Sequence, residues 1–375
     1  MSEVNLPAVN LFEEANRQLI ICNACRYCEG FCPVFRAIEI RREFDKPDVF
    51  YLSNLCHDCR ACYYACMFTP PHEFAINIPK ILSEARAETY RRWSWPAFLG
   101  KAFQDRRITV WLAMFMSVLV VALAMIYVPA SALWSAHLGP GAFYEVVPYL
   151  AMVIGGMILF FYAIAVWVRG GSRFWSDTAS IAKQQGGGKA LLEAIGAALG
   201  LRYLQGGGPG CPYPDEAPSS ARRFYHSLTM WGLILDFVST TLAFIYQDFL
   251  HQLPPYPLLS APVVTGTLGG IGLIIGTAGL TWIKVESDRE PAAKRAVAMD
   301  YVFLVSLGLA AFSGMLTLIL RETSAMGIAL VVHLALIAAL FITAPYGKFV
   351  HFVYRTLALI RYEVEQRQPQ QHVGH

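Results

Sequence analysis

Charge is scarce in this chain. Asp, Glu, Lys and Arg make up 15% of its 375 residues, against 55% apolar. A water-soluble protein carries roughly a quarter of charged residues, so an ordinary soluble multidomain enzyme is excluded. The net charge of +3 gives no case for nucleic acid. A signal-peptide pattern is missing too: the first residues, MSEVNLPAVNLFEEANRQ, are polar and acidic, which predicts no export. No G-x-G-x-x-G follows a strand pattern, so no nicotinamide or flavin fold is expected. Gly186-Gly187-Gly188-Lys189 lacks the first glycine of a P-loop and reads as a flexible turn. Stand-alone chemistry on an organic substrate is therefore not expected. Cysteine is nearly absent outside one stretch; Cys211 is the exception and reads as a spare thiol.

That one stretch holds the other eight cysteines. Cys22, Cys25, Cys28 and Cys32, then Cys56, Cys59, Cys62 and Cys66, each read C-x2-C-x2-C-x3-C. Pro33 closes the first run; Met67 follows the second, with Pro70 and Pro71 further on. A structural zinc site wants separated C-x2-C pairs, and a disulfide framework implies export. Two runs of four are the spacing of a ferredoxin with two [4Fe–4S] clusters, in which the fourth cysteine of each run serves the other cluster. The expected sets are Cys22, Cys25, Cys28 and Cys66, and Cys56, Cys59, Cys62 and Cys32. Such clusters pass single electrons.

Around the runs, Leu11–Ile20 reads as a short helix, Phe35–Phe44 as a charged helical linker and Ile78–Trp93 as a charged helix leading to a membrane. Trp93-Ser94-Trp95-Pro96 suits an interfacial aromatic belt. Six apolar stretches follow: Ile108–Val128, Val146–Val168, Ser227–Tyr246, Val263–Ile283, Tyr301–Leu320 and Ala325–Ala344. Each approaches the ~20 residues that cross a bilayer. Pro129–Glu145 and Asp248–Pro262 hold no Lys or Arg, whereas Arg169–Phe224 holds seven. The positive-inside rule then predicts a multi-pass protein of a bacterial-type inner membrane, both termini cytoplasmic. The fold class is mainly α: a small two-[4Fe–4S] ferredoxin-like domain with linker (1–107), a six-span haem b domain (108–355, with a cytoplasmic loop at 169–224) and a cytoplasmic tail (356–375). Lys189–Leu204 reads as an amphipathic surface helix.

Histidine inside a span is costly and is a functional candidate. Imidazole is the usual axial ligand of a b-type haem between packed helices. His226 opens span three and His351 follows span six, both on the cytoplasmic side, so one haem between them is the best-matched site. His333, about 12 Å below the outer end of span six, is a second candidate ligand, for one or two haems in all. It shares a face with His351 if Pro345 and Gly347 leave the helix unbroken. His251, about 37 Å from His226 if helical, belongs at the outer surface and matches His333 poorly. The plain alternative for all four is an interfacial or hydrogen-bonded histidine. His57 and His72 flank the clusters as surface or supporting residues. Asp236, mid-span, fits proton uptake near a quinone or a hydrogen bond to Ser239, Thr240 or a neighbouring helix. Arg321 fits a haem propionate or a plain interfacial arginine.

The two cysteine runs, followed by six spans carrying Tyr225-His226-Ser227-Leu228-Thr229, Pro255-Tyr256-Pro257-Leu258-Leu259-Ser260 and Pro345-Tyr346-Gly347-Lys348-Phe349-Val350-His351, resemble the tricarballylate-utilisation (citrate-utilisation) protein B family over nearly the whole chain. The membrane half is more distantly similar to the haem b subunit of respiratory nitrate reductase. The resemblance implies a membrane electron carrier. It would reoxidise the flavin of a partner FAD-dependent dehydrogenase, of tricarballylate or a similar tricarboxylate, and pass electrons to the membrane. It carries the cluster role onto the eight N-terminal cysteines and the haem role most directly onto His226 and His351. The expected path runs from flavin through both clusters and haem b to a membrane quinone. The alternative is a redox sensor or transporter whose clusters sense rather than conduct, although Asp236 is the one clear midplane charge available to a transporter.

Overall fold

A computed structural model describes residues 10–103, 105–181 and 187–367. The N-terminal part builds six helices: α1 (Leu11–Cys25), α2 (Pro33–Glu39), α3 (Lys46–Leu55), α4 (Ala61–Tyr64), α5 (Ile78–Trp93) and α6 (Ala97–Ala102). The helix expected over Ile78–Trp93 has those bounds because Asn77 caps it, accepting from Lys80 N at 3.1 Å, and Pro79 sits in its first turn. The expected helical linker Phe35–Phe44 is helical only to Glu39, in α2; residues 40–45 form the turn that leads to α3. Asp45, Pro47 and Asp48 open α3, with Asp45 N donating to Asp48 Oδ2 at 2.9 Å.

Six long apolar helices follow, each able by length and composition to cross a membrane: α7 (Arg106–Tyr127), α10 (Tyr149–Asp177), α12 (Ala221–Asp248), α13 (Ala261–Glu286), α14 (Lys294–Leu320) and α15 (Met326–Thr343). Short helices α8 (Ala130–Trp134) and α9 (Ala142–Val146) lie between the first two. Helix α11 (Gly188–Leu199) and a two-stranded hairpin (β1, Cys211–Pro212; β2, Pro218–Ser219) lie between α10 and α12. Most of α7 is bare, with Trp111, Phe115, Val118 and Ile126 exposed, as a lipid-facing helix requires. Helices α12 and α13 approach closely through glycine: a Cβ on Gly232 would lie 2.8 Å from Gly269 O.

The connections poor in Lys and Arg gather at one end of the bundle. Gly141 N donates to Pro254 O at 2.6 Å, and Arg321 Nη1 to Tyr256 O at 2.9 Å. The basic connections gather at the other end, against the cysteine-bearing part. Arg60 Nη1 donates to Asp288 O at 2.8 Å, and Asn77 Nδ2 to Glu290 O at 3.0 Å.

One open condition is decided and two expectations are corrected. The chain does not run helical from His333 to His351: α15 stops at Thr343, a 3-10 turn spans Lys348–Val350, and α16 (His351–Glu365) starts afresh. Trp93 is not interfacial. Its ring is 1% exposed, packed on Phe50, Phe174 and Tyr354 at 5.0–5.7 Å, with Nε1 donating to Asp177 at 3.0 Å. Residues 356–365, read as tail, continue α16 into the cysteine-bearing domain. Ala358, Leu359 and Tyr362 join its core, and Tyr51 Oη donates to Glu365 at 3.1 Å. Residues 368–375 lie outside the described residues, as do the N-terminal residues 1–9 and Gly186 of the expected turn.

Candidate electron-transfer site

The cysteines fall into two neighbourhoods. The Cys22 thiol is surrounded by those of Cys25, Cys28 and Cys66. Cys62 faces Cys32 and Cys56, and Cys59 faces Cys32 and Cys62. Cys28 lies close to both Cys62 and Cys32, so the two neighbourhoods abut. Burial, with the neighbouring thiols adding to it, pushes Cys22, Cys28 and Cys32 up to about 12. Holding these groups as thiolates therefore needs positive charge among them, which iron supplies. Among the described residues no three Cys, His, Asp or Glu side chains converge as they would on one ion. Cys22, Cys25, Cys28, Cys62 and Cys66 instead line a cavity walled by Ile21, Phe35, Phe68 and Ile78. An extended cluster, each iron taking one sulfur, fits that arrangement. Backbone N–H groups of Asp58 and Phe68 donate to Cys56 Sγ at 3.4 Å and Cys66 Sγ at 3.3 Å, contacts of the kind that tune a cluster's potential.

Arginines grip the second cysteine run, Arg86 from the same half and Arg222 and Arg355 from the membrane half. Arg86 and Arg355 both donate to Cys56 O, at 2.6 and 2.7 Å. Arg222 donates to His57 O at 2.9 Å and Asp58 O at 2.6 Å. Arg222 precedes His226 by four residues on α12; Arg355 follows His351 by four on α16. One helical turn, about 6 Å of rise, thus separates each histidine from an arginine gripping the same loop.

His226 and His351 meet. Their ring centroids are 6.2 Å apart, at an interplanar angle of 87°. Two imidazoles on opposite sides of one metal, each bonded at about 2.0 Å, have centres about 6 Å apart. His351 Nδ1 is 2.7 Å from Lys348 O and donates to it, which leaves Nε2 as the nitrogen that could take a metal. Burial, then Arg355 and Lys348, hold His351 well below its ordinary pKa, in the neutral form a metal takes. His226 Nδ1 is buried without a hydrogen-bond partner in the described structure. This pair fits an axial ligand set.

The other candidates are elsewhere. His333 Nδ1 bonds Ser313 Oγ at 3.0 Å, and its ring lies on Gly314, whose added Cβ would sit 3.0 Å from it. About 15 Å of helix and the 3-10 turn separate it from His351. His251 is exposed beyond α12. Asp236 lies in the α12–α13 seam beside Gly269; Thr240 donates to its backbone oxygen, and Ser239 to Pro262 O. Arg321 is occupied by Tyr256 O and Glu322. His72 packs between Phe68 and Phe74. His57 is held well below its ordinary pKa by burial, then by Arg355, Arg222 and Arg86.

Sequence reasoning missed the arginines and the loop that covers the second run. Arg60 and Arg222 stack on Tyr213 at 4.2 and 4.7 Å, and Cys211 is fully buried beside Cys59. The available signal was the four-residue spacing of each arginine from a histidine. Helix α11 stops at Leu199, short of the expected Leu204; it turns Ala190, Ala194 and Ala197 inward and leaves Leu192 exposed.

Two family models match the chain. One, described as Citrate utilization protein B, covers residues 102–372; the other, described as Citrate utilization protein B Fer4-like domain, covers 15–92. A curated protein from Escherichia coli named Citrate utilization protein B is 42% identical over 364 residues, covering 96% of this chain and 93% of that protein. No solved structure matches the chain.

Proposed function

From a chain that belongs to the citrate utilization protein B family, we propose a cytoplasm-to-membrane electron carrier that reoxidises the flavin of a partner dehydrogenase and serves a membrane quinone. The coarser role, iron–sulfur electron transfer by a membrane protein, follows from the Fer4-like match and the six apolar helices. The finer reading adds two [4Fe–4S] clusters, on Cys22, Cys25, Cys28 and Cys66 and on Cys56, Cys59, Cys62 and Cys32. It adds a haem b between His226 and His351. The partner is an FAD-dependent dehydrogenase of tricarballylate or a similar tricarboxylate, and the orientation is both termini cytoplasmic in a bacterial inner membrane.

One observation carries this reading: the helices that bring His226 and His351 together also plant Arg222 and Arg355 on the loop of Cys56–Asp58. When bound, clusters and haem relay single electrons. The residues of the chain fix where that happens. The thiols would hold the iron, with Cys28, Cys56 and Cys59 buried and Cys25 exposed. The arginine bonds set the spacing between the loop and the histidines without the reorganisation a mobile docking would need. Lys348 O fixes the His351 tautomer.

The test is the purified membrane protein with iron and haem quantified. Eight non-haem irons per chain and a low-spin b-type spectrum, reducible by reduced flavoprotein, are expected. Eight irons with no haem would remove the membrane half of the reading. Reporters placed after His375 and within Pro129–Glu145 should fall on opposite sides of the membrane.

A further inference from the structure

A second cavity, of about 260 Å³, lies at the basic end of the bundle between α7, α14 and the turn that leads into α16. Its floor is apolar and aromatic: Phe103, Phe303 and Phe349 line it with Met299 and Val302. Phe349 is fixed from behind by Trp167, stacked at 5.4 Å and 22°, and meets Phe303 edge-on at 5.4 Å. Its rim carries Lys294 and Arg295, both exposed. Neither makes a hydrogen bond or ion pair within the described structure, whereas Lys348 of the same lining is held by Asp300 at 2.7 Å.

Hydrogen-bond chemistry narrows the ligand. The lining hydroxyls have already spent their protons: Ser306 donates to Val302 O at 2.7 Å, Thr343 to Ala339 O at 2.8 Å and Thr109 to Phe103 O at 3.2 Å. The free donors are the two rim cations, which cannot accept. The matching ligand is a flat apolar ring system whose polar atoms are pure acceptors. The volume falls below the roughly 300 Å³ at which drug-sized sites begin, so it admits one or two rings with any long tail outside. Position narrows it further. Lys348 lines this cavity, and its carbonyl oxygen is the acceptor of His351 Nδ1 at 2.7 Å. The cavity and one member of the histidine pair thus share a single 3-10 turn.

We propose that this cavity binds a quinone headgroup, its ring on Phe303 and Phe349 and its carbonyl oxygens toward Lys294 and Arg295. The assignment rests on the electron-carrier reading, and it locates the acceptor on the same side of the membrane as the clusters. An anionic phospholipid would use the same rim cations, but it has no use for an aromatic floor beside a redox ligand.

The experiment is photolabelling of the purified full chain with a short-chain azidoquinone, with labelled peptides read by mass spectrometry. Label is expected within 294–306 and 343–349, competed by unlabelled short-chain quinone and not by anionic phospholipid vesicles. Met299→Trp fills the cavity, and Arg295→Ala removes an exposed rim donor without touching the core. Each should cut specific labelling about tenfold or more with iron content and the optical spectrum unchanged. Should Met299→Trp fail to fold, Arg295→Ala alone decides. Label elsewhere, or unchanged labelling in Arg295→Ala, overturns the assignment. Label here that only phospholipid competes makes the cavity a lipid site and overturns it equally. Failure of the haem reading is separable: a chain that holds no haem yet labels here keeps the site and loses the route.

Discussion

The two ends of the membrane bundle are built differently. At the basic end, His226 and His351 face each other, one with an unpartnered buried nitrogen and the other with its tautomer set by Lys348 O. Arg222 and Arg355 tie that end to the second cysteine run. Mid-span, His333 bonds Ser313 and is pressed on Gly314, and at the other end Arg321 is spent on Tyr256 O and Glu322. A histidine inside an apolar helix is expensive in both places. In one place two imidazoles face each other; in the other His333 bonds a hydroxyl through Nδ1 and is pressed on a glycine. Intramembrane histidine alone is thus an incomplete signal. A second imidazole opposite the ring separates His226 and His351 from His333.

The strongest way to break the comparison is to remove the proposed ligands at the basic end. Cys59→Ser should lose one cluster, leaving about four non-haem irons of eight, because each iron of a cube needs its thiolate. His351→Ala and His226→Ala should each abolish or convert the low-spin b-type spectrum while cluster signals persist. Their ligands lie on separate segments, so the two sites should fail independently. An unchanged spectrum in both histidine variants would leave the two ends indistinguishable.

The next effect is on the joint between the halves. Trp93 packs at once on Phe50 of α3, Phe174 of α10 and Tyr354 of α16. Trp93→Ala should cost about 3–5 kcal/mol, seen as a lowered midpoint of cluster loss on heating. A loss below 1 kcal/mol would mean the halves are held by something else.

Arg355→Gln should come third, at about 1.5–3 kcal/mol for a charged donor removed from a buried carbonyl. Haem and iron content should be retained, with reduction of the haem by flavoprotein slowed. Equal rates would show that the arginine only braces the loop.

How much of this was legible in the sequence follows the range of the interactions. The cysteine spacing is local, and so is the cap of α5 by Asn77. The six spans are long apolar runs, each legible within its own length. The break at Pro345–Gly347 was flagged by local chemistry, though not decided by it. The insertion of α16 into the core of the cysteine-bearing domain was invisible, since Tyr51 and Glu365 are 314 residues apart. So were the arginine bonds, because a backbone carbonyl accepts from any donor and imposes no residue type on the chain. Cys211 reads as spare in sequence, and only folding brings it beside Cys59.

The smallest effect sharpens the comparison most. His333 makes one hydrogen bond to Ser313 Oγ across the α14–α15 interface. Such a bond is worth about 1 kcal/mol net. His333→Gln keeps a polar side chain within reach of Ser313, so stability should fall by about 1 kcal/mol or less. Haem content and the low-spin spectrum should not change, because the ring is turned to a hydroxyl and a glycine and lies far along the bundle from His351. Ser313→Ala should likewise cost about 1 kcal/mol or less, and the double variant should cost less than the sum, since both changes touch the same contact. A spectral change in His333→Gln, with Ser313→Ala silent, would instead make His333 an axial ligand. A second haem would then belong at the less basic end, and the contrast between the two ends would disappear.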